Sequence, residues 1–278
     1  MPNPTVIPHV SRRMTQKVIL ERDGAVARIV LNQPEAMNAI GPEMARELAL
    51  AAAELARDEA VRCVIVTGAG RHFMAGGDVR YFSELLTLPA TERDAKLSEL
   101  ITDVGDAVAS LRAMCKPVVA AVRGAVAGFG LSLMCACDLA VAGEGSTFKM
   151  AYCQLGASPD GGGSHSLPRL LGVRRALQLA LLDERIDARR ALEFGLVTRV
   201  VPDESVDGAV MALAQGLARQ ATAALGRTKR LIHAAFDNDL AGQLEAERLA
   251  FLAGAASEDF AEAVAAFVAK RRPNFRSR

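Results

Sequence analysis

Hydrophobic and polar positions change period several times along this chain. In KVILERDGAVARIVLNQP, residues 17 to 34, two runs rich in β-branched residues flank Asp23-Gly24, and an Asp-Gly pair in that setting predicts a β-hairpin. PEMARELALAAAELARD, 42 to 58, moves to a helical period, with Met44, Leu48, Ala52 and Leu55 on one face. VRCVIVTG (61–68) and KPVVAAV (116–122) are short continuous apolar runs and predict buried strands, with a polar helical stretch near 90–113 between them. LSLMCACD (131–138) predicts a compact apolar helix, and LAVAG a short strand after it. Brief helices then lead to a further strand in GLVTRVV (195–201). From about residue 205 the strand pattern ends, and AVMALAQGLARQ, LGRTKRLIHAAF, LEAERLAFLAG and DFAEAVAAFVAKRR read as successive amphipathic helices.

Strands alternating with helices predict an α/β core whose strands are covered on both faces. Three regions follow: an arm over 1–16, a core over 17–204 and a helical region over 205–278 that either covers the core or meets another subunit. The arm, MPNPTVIPHVSRRM, has three prolines and no apolar run of signal length, and its Arg12 and Arg13 read as solvated. No stretch approaches the roughly 20 apolar residues of a membrane span. A chain of 278 residues that is 51% apolar supports a large core. The net charge of +1 offers no general attraction to nucleic acid or anionic membrane, and the absence of Trp argues against base stacking.

Five cysteines are scattered through apolar segments. Cys135 and Cys137 form a C-x-C pair, but no second pair follows at zinc-ligand spacing, so reduced thiols in a cytoplasmic protein and no metal are expected. Chemistry concentrates in three glycine-rich segments. HFMAGGDV (72–79) leaves a predicted strand, and adjacent glycines there can aim N–H groups into a pocket. RGAVAGFGLSLMCACD (123–138) joins a strand to a helix, whose free N–H groups favour negative charge. It lacks the Gly-Lys-Ser/Thr of a phosphate loop and the third glycine of a dinucleotide fingerprint. Two strand exits converging on one carbonyl oxygen would form an oxyanion hole. The third segment, SPDGGGSHSLPRLLG (158–172), sets Asp160 between a proline and three glycines, either as an N-cap or loop-ordering carboxylate for the helix that follows or as a working carboxylate.

The ordered set N-Q-P-x-x-x-N-A (Asn32 to Ala39), A-G-G-D (Ala75 to Asp78), G-A-V-A-G-F-G (Gly124 to Gly130), C-D-L-A (Cys137 to Ala140), P-D-G-G-G-S (Pro159 to Ser164) and F-V-A-K-R-R-P-N-F resembles the crotonase, or enoyl-CoA hydratase/isomerase, family over residues 17 to 276. The resemblance implies a crotonase-like spiral of ββα units with a helical C-terminal region, assembled as a trimer or a dimer of trimers. It implies an acyl-CoA substrate and no separate cofactor, coenzyme A being part of the substrate. The oxyanion donors would be the N–H groups of Gly77 and Phe129. Family members often have glycine at the second position, but a backbone donor survives the side-chain change, and the Phe129 ring would shape the acyl pocket. Coenzyme A contacts would fall to Met37, Ala75, Gly76, Asp78, Phe267 and Lys270, the last often reaching across a subunit boundary.

Departures from the family pattern bear on the reaction. Hydratases resembling this chain carry two glutamates, at the positions of Ser132 and Tyr152 here. A serine and a tyrosine are poor substitutes for that pair, and are expected to line the acyl pocket. Some isomerases of the family place an aspartate where Asp160 stands, which makes Asp160 the expected proton shuttle. The leading expectation is an enoyl-CoA isomerase; the alternatives are a hydratase or other acyl-CoA enzyme with non-standard residues and a non-catalytic acyl-CoA binder. RNA binding, seen in a few relatives, lacks a basic stripe here, since GRTKRLIH is short. Asp78 is expected to fix its turn. His165 reads as a surface helix residue, Glu84 as a minor candidate, and His72 and His233 have no evident role.

Overall fold

The computed structural model describes residues 16–276, so the predicted arm at 1–16, with Arg12 and Arg13, falls outside the described residues except for Gln16. The predicted hairpin is present: β1 (Val18–Asp23) pairs antiparallel with β2 (Val26–Leu31), turning at Gly24 with φ of 57°. Helix α1 (Pro42–Arg57) buries the predicted Met44, Leu48, Ala52 and Leu55. Strand β3 (Cys63–Gly68), helices α2 (Val79–Leu85) and α3 (Ala90–Ala113), and strand β4 (Val118–Val122) follow. Lys116, expected inside a strand, instead donates from a buried ammonium to the carbonyls of Leu55 and Asp58, at 2.8 and 2.6 Å, and so closes the end of α1.

Next come β5 (Ala125–Ala127), α4 (Phe129–Ala136), β6 (Leu139–Gly143), β7 (Thr147–Lys149), α5 (Gly163–Leu171), α6 (Val173–Leu181), β8 (Ile186–Asp187), α7 (Ala188–Phe194) and β9 (Arg199–Val201). Two further boundaries that differ from the sequence reading bear on the site and its surroundings. Helix α4 begins two residues early, directly on the glycine turn. The strand expected over 195–201 shrinks to three residues, because Gly195, at φ 79°, closes α7 in a left-handed cap. Helices α8 (Val206–Ala218), α9 (Thr222–Ala234), α10 (Leu240–Ala255) and α11 (Glu258–Val268) complete the described chain, and none of its helices is long and apolar enough to cross a membrane.

The main sheet runs β1-β2-β3-β4-β6-β9, parallel except at β1–β2. Its central strands are buried on both faces, which is why they read as unbroken apolar runs. Val64, Val66, Ala120 and Val122 join the large core with α1, α3 and α4; Cys63, Ile65, Val119 and Ala121 face Val206, Val210 and Ala214 of α8. A smaller sheet, β5-β7-β8, stands beside it. Met74 bridges Val126 of β5, which pairs with Phe148 of β7, which pairs with Ile186 of β8. Three successive units therefore repeat one path: a strand of the main sheet, then a bridge at Met74 or a short strand (β5, β7) in the second layer, then a helix. All four bridging side chains are buried. This stacking fixes the spacing of the turns that leave the short strands.

Candidate active site

Left-handed backbone recurs at those three exits: Gly76 has φ of 98°, Gly128 of 52° and Ala151 of 58°. The first two turns touch. A β-carbon on Gly76 would sit 3.3 Å from the Ala127 carbonyl oxygen and 3.6 Å from Gly128 Cα, and one on Gly128 would sit 3.3 Å from Gly76 Cα. Glycine is required by the conformation and by this approach. The residues that follow, Gly77 and Phe129, each bring an N–H to the junction. Phe129 is the first residue of α4, so its N–H has no partner within the helix. Among the described residues neither N–H donates to a protein acceptor. Two free donors on touching turns, one at a helix N-terminus, suit an oxygen that gains negative charge.

Side chains close around this junction. A β-carbon on Gly77 would meet the Phe82 ring at 2.6 and 2.7 Å. The Phe129 ring is buried and lies where a β-carbon on Gly161 would be, so the ring supports the Asp160 loop from below and Gly161 must remain glycine. Ser132, one turn along α4, is 1% exposed, and its Oγ has no hydrogen-bond partner at good geometry. Asp160 is exposed and accepts a 2.6 Å hydrogen bond on Oδ1 from the Tyr152 hydroxyl. It does not cap α5: Gly162 holds that position, and no side chain caps the helix. That removes the N-cap alternative, while the bond to Tyr152 is one that also orders the loop.

Tyr152 follows the third left-handed turn. Ala151 is held there by its N–H, which donates to Asp183 at 3.0 Å, while Asp183 pairs with Lys149 of β7 at 2.8 Å. Burial pushes the Tyr152 hydroxyl pKa up; the Asp160 charge and hydrogen bond add to this, and the Ser132 hydroxyl opposes it. The phenol therefore keeps its proton, as a donor must. The structure thus joins Ser132, Tyr152, Asp160 and Phe129, from three separate motifs, in one wall.

The remaining predicted residues divide into two groups. Met37, at φ 51°, is 46% exposed and its carbonyl accepts from the Ala75 N–H at 3.0 Å, which brings those two together beside Gly76. Asp78 caps α2 by accepting from Arg80 N at 2.9 Å, as expected of a turn-fixing residue. Phe267 and Lys270 lie at the far end of the chain on and after α11; Phe267 is 86% exposed, and no ring contact or ion pair joins either to the strand exits among the described residues. Glu84 is exposed on α2. His165 is exposed, lining with His233, Arg112 and Gly162 a cavity of ≈ 570 Å³ beside the loop; burial lowers the pKa of both histidines.

Some contributors were not singled out from sequence. Asn38, wholly buried, donates through Nδ2 to the carbonyls of Ala69, His72 and Phe73 at 3.0, 2.8 and 3.2 Å and accepts from Gln33 N at 2.9 Å, tying the first turn to β3. His72 accepts at Nδ1 from Ala125 N at 3.1 Å and so ties the first exit to the second. Burial pushes the Cys135 thiol up to about 12 and the Cys137 thiol higher, and no three His, Cys, Asp or Glu side chains among the described residues are grouped to hold a metal ion.

Known proteins resemble this chain in sequence and fold. A family described as "Enoyl-CoA hydratase/isomerase" matches residues 21–278. The 1,2-epoxyphenylacetyl-CoA isomerase of Escherichia coli K12 is 37% identical over 262 residues, covering 94% of this chain and 99% of that protein. A short-chain-enoyl-CoA hydratase of Clostridium acetobutylicum is 32% identical, covering 92% and 95%. Among solved structures, an enoyl-CoA hydratase from Polaromonas sp. JS666 superimposes with a TM-score of 0.87 at 35% identity, covering 93% of this chain and 99% of that one.

Proposed function

The chain belongs to the enoyl-CoA hydratase/isomerase family, with the crotonase fold, and from that premise we propose that it is an enoyl-CoA isomerase with Asp160 as its proton shuttle. The observation that carries this reading is the hydrogen-bonded Tyr152–Asp160 pair on a loop that packs against the residue supplying the second backbone donor. The Gly77 and Phe129 N–H groups hold the thioester oxygen. Asp160 takes the proton from Cα of a 3-enoyl thioester, and the C–H electron pair passes into a dienolate whose negative oxygen the two donors stabilise. The carboxylic acid then returns the proton to Cγ, restoring the thioester carbonyl and leaving the double bond at C2–C3. One carboxylate suffices for this exchange. Hydration would need a base for water and an acid for Cα, and Ser132 and Tyr152 stand where family hydratases have carboxylates.

Coenzyme A lies along Met37, Ala75 and Gly76, the turn that Asp78 fixes. Lys270 and Phe267 reach coenzyme A from a neighbouring subunit, since in their own chain Phe267 stands exposed on α11 and Lys270 just beyond its end. The acyl-CoA is the only organic ligand the mechanism requires. The test is to give the purified protein trans-3-hexenoyl-CoA and trans-2-hexenoyl-CoA separately and analyse the products by liquid chromatography and mass spectrometry. A 2-enoyl product of unchanged mass from the first substrate is the expected result; water added to the second would replace the reading with hydration. Asp160→Asn lowers kcat by about 10²–10⁴-fold with little change in KM.

A further inference from the structure

We propose that Tyr152 is a positioning residue that divides the work of the Asp160 carboxylate: Oδ1 is tethered to the tyrosine hydroxyl, and Oδ2 alone carries the substrate proton. This rests on the reading of Asp160 as the base and adds a second residue to it.

The loop makes a tether necessary. Pro159 precedes Asp160, and Gly161, Gly162 and Gly163 follow. Gly162 is left-handed, at φ 76°, and no side chain caps α5, so the local backbone does little to orient the carboxylate. Asp160 is also exposed. A carboxylate free to turn presents either oxygen to substrate or to water, and a proton just taken is then exchanged before it is returned. The 2.6 Å bond from Tyr152 falls in the range of charge-assisted O–H···O⁻ bonds. Among the described residues Oδ2 has no protein partner.

The anchor of the tether is itself fixed. The Lys149–Asp183 ion pair at 2.8 Å and the Ala151 N–H to Asp183 bond at 3.0 Å hold the left-handed turn that aims Tyr152. Ala151 is one of five non-glycine residues with positive φ among the described residues. Strain of this kind persists where surrounding contacts over-determine the conformation. Both bonds converge on Asp183, which holds the residue before the tyrosine through one carboxylate oxygen and Lys149 through the other. The proton balance is unchanged: the Cα–H bond breaks as the Oδ2–H bond forms, then Oδ2–H breaks as Cγ–H forms. The phenol proton stays on Tyr152 throughout.

The experiment uses 3-hexenoyl-CoA deuterated at Cα, in ordinary water, with the wild type, Tyr152→Phe and Asp160→Asn. In the wild type a measurable share of deuterium arrives at Cγ. Tyr152→Phe is expected to lose that share and about ten- to a hundredfold of kcat, with KM unchanged because substrate binding is intact. A protein carrying 3-fluorotyrosine at position 152, which keeps the donor and the shape, restores transfer and serves if the phenylalanine variant does not fold. Wild-type rate and deuterium retention in Tyr152→Phe, with Asp160→Asn inactive, would overturn the tether and leave Asp160 as base. A wild type that retains no deuterium overturns it too. An active Asp160→Asn removes the base assignment, and the tether with it.

Discussion

Asn38 shows how much of a site one neutral side chain can organise. It is left-handed, at φ 56°, wholly buried, and spends its amide on three carbonyls of the segment leading to Gly76. Asn38→Ala would leave the buried Phe73 carbonyl and the half-buried Ala69 and His72 carbonyls and Gln33 N–H without this partner. A loss of about 1–3 kcal/mol in stability is expected, read as a lower midpoint in urea with an unchanged slope. The motif containing Asn38 is legible in the sequence, but the task of its amide is not, because the three carbonyls it donates to lie more than thirty residues away. The same holds for Tyr152 and Asp160. Tyr152 stands out only as a departure from a family pattern, whereas Asp160 stands out as a charge among glycines. Their hydrogen bond depends on Ala151 being left-handed, which nothing in an alanine announces, and which an aspartate thirty-two residues on enforces.

Among the elements, the long periodic ones were readable and the short ones were not. Helix α3 falls where its composition predicts, and β1–β2 close on the predicted Asp-Gly turn. Strand β5 has only three residues between glycine turns, too few for any period to register. The early start of α4 matters more, since it makes Phe129 rather than an interior loop residue the bearer of the free N–H. Another link between elements was invisible: Lys229 of α9 pairs with Asp138, just before β6, at 2.9 Å, and Asp138 also accepts from Val118 N at 2.8 Å. Burial pushes the Asp138 pKa up despite the lysine, so the pair is held in a costly environment. Lys229→Ala leaves that carboxylate buried without its cation and should destabilise the protein by about 3–5 kcal/mol, measured by denaturant unfolding. Asp138→Asn, which keeps an acceptor for Val118, should cost less.

On the scale of the whole molecule, the C-terminal helices do two different things. Helix α8 completes the core by covering one face of the main sheet. Helix α10 buries no residue in its own chain and exposes Leu240, Leu244, Leu249, Phe251 and Leu252, while α11 exposes Phe267 and Val268. Apolar area on this scale marks an interaction surface. Light scattering is expected to give a mass above that of one chain, and Phe251→Asp to return it toward 29.4 kDa; a wild-type monomer at working concentration would remove the assembly. The stacked exits have a separate consequence. Gly76 and Gly128 brace each other through main chain alone, so under the proposed function charge stabilisation would be written in backbone, whereas proton handling would rest on the side chains at 152 and 160. On that reading, substitution at those positions would change the reaction without redrawing the path of the chain, because the turns that hold the oxygen do not depend on them.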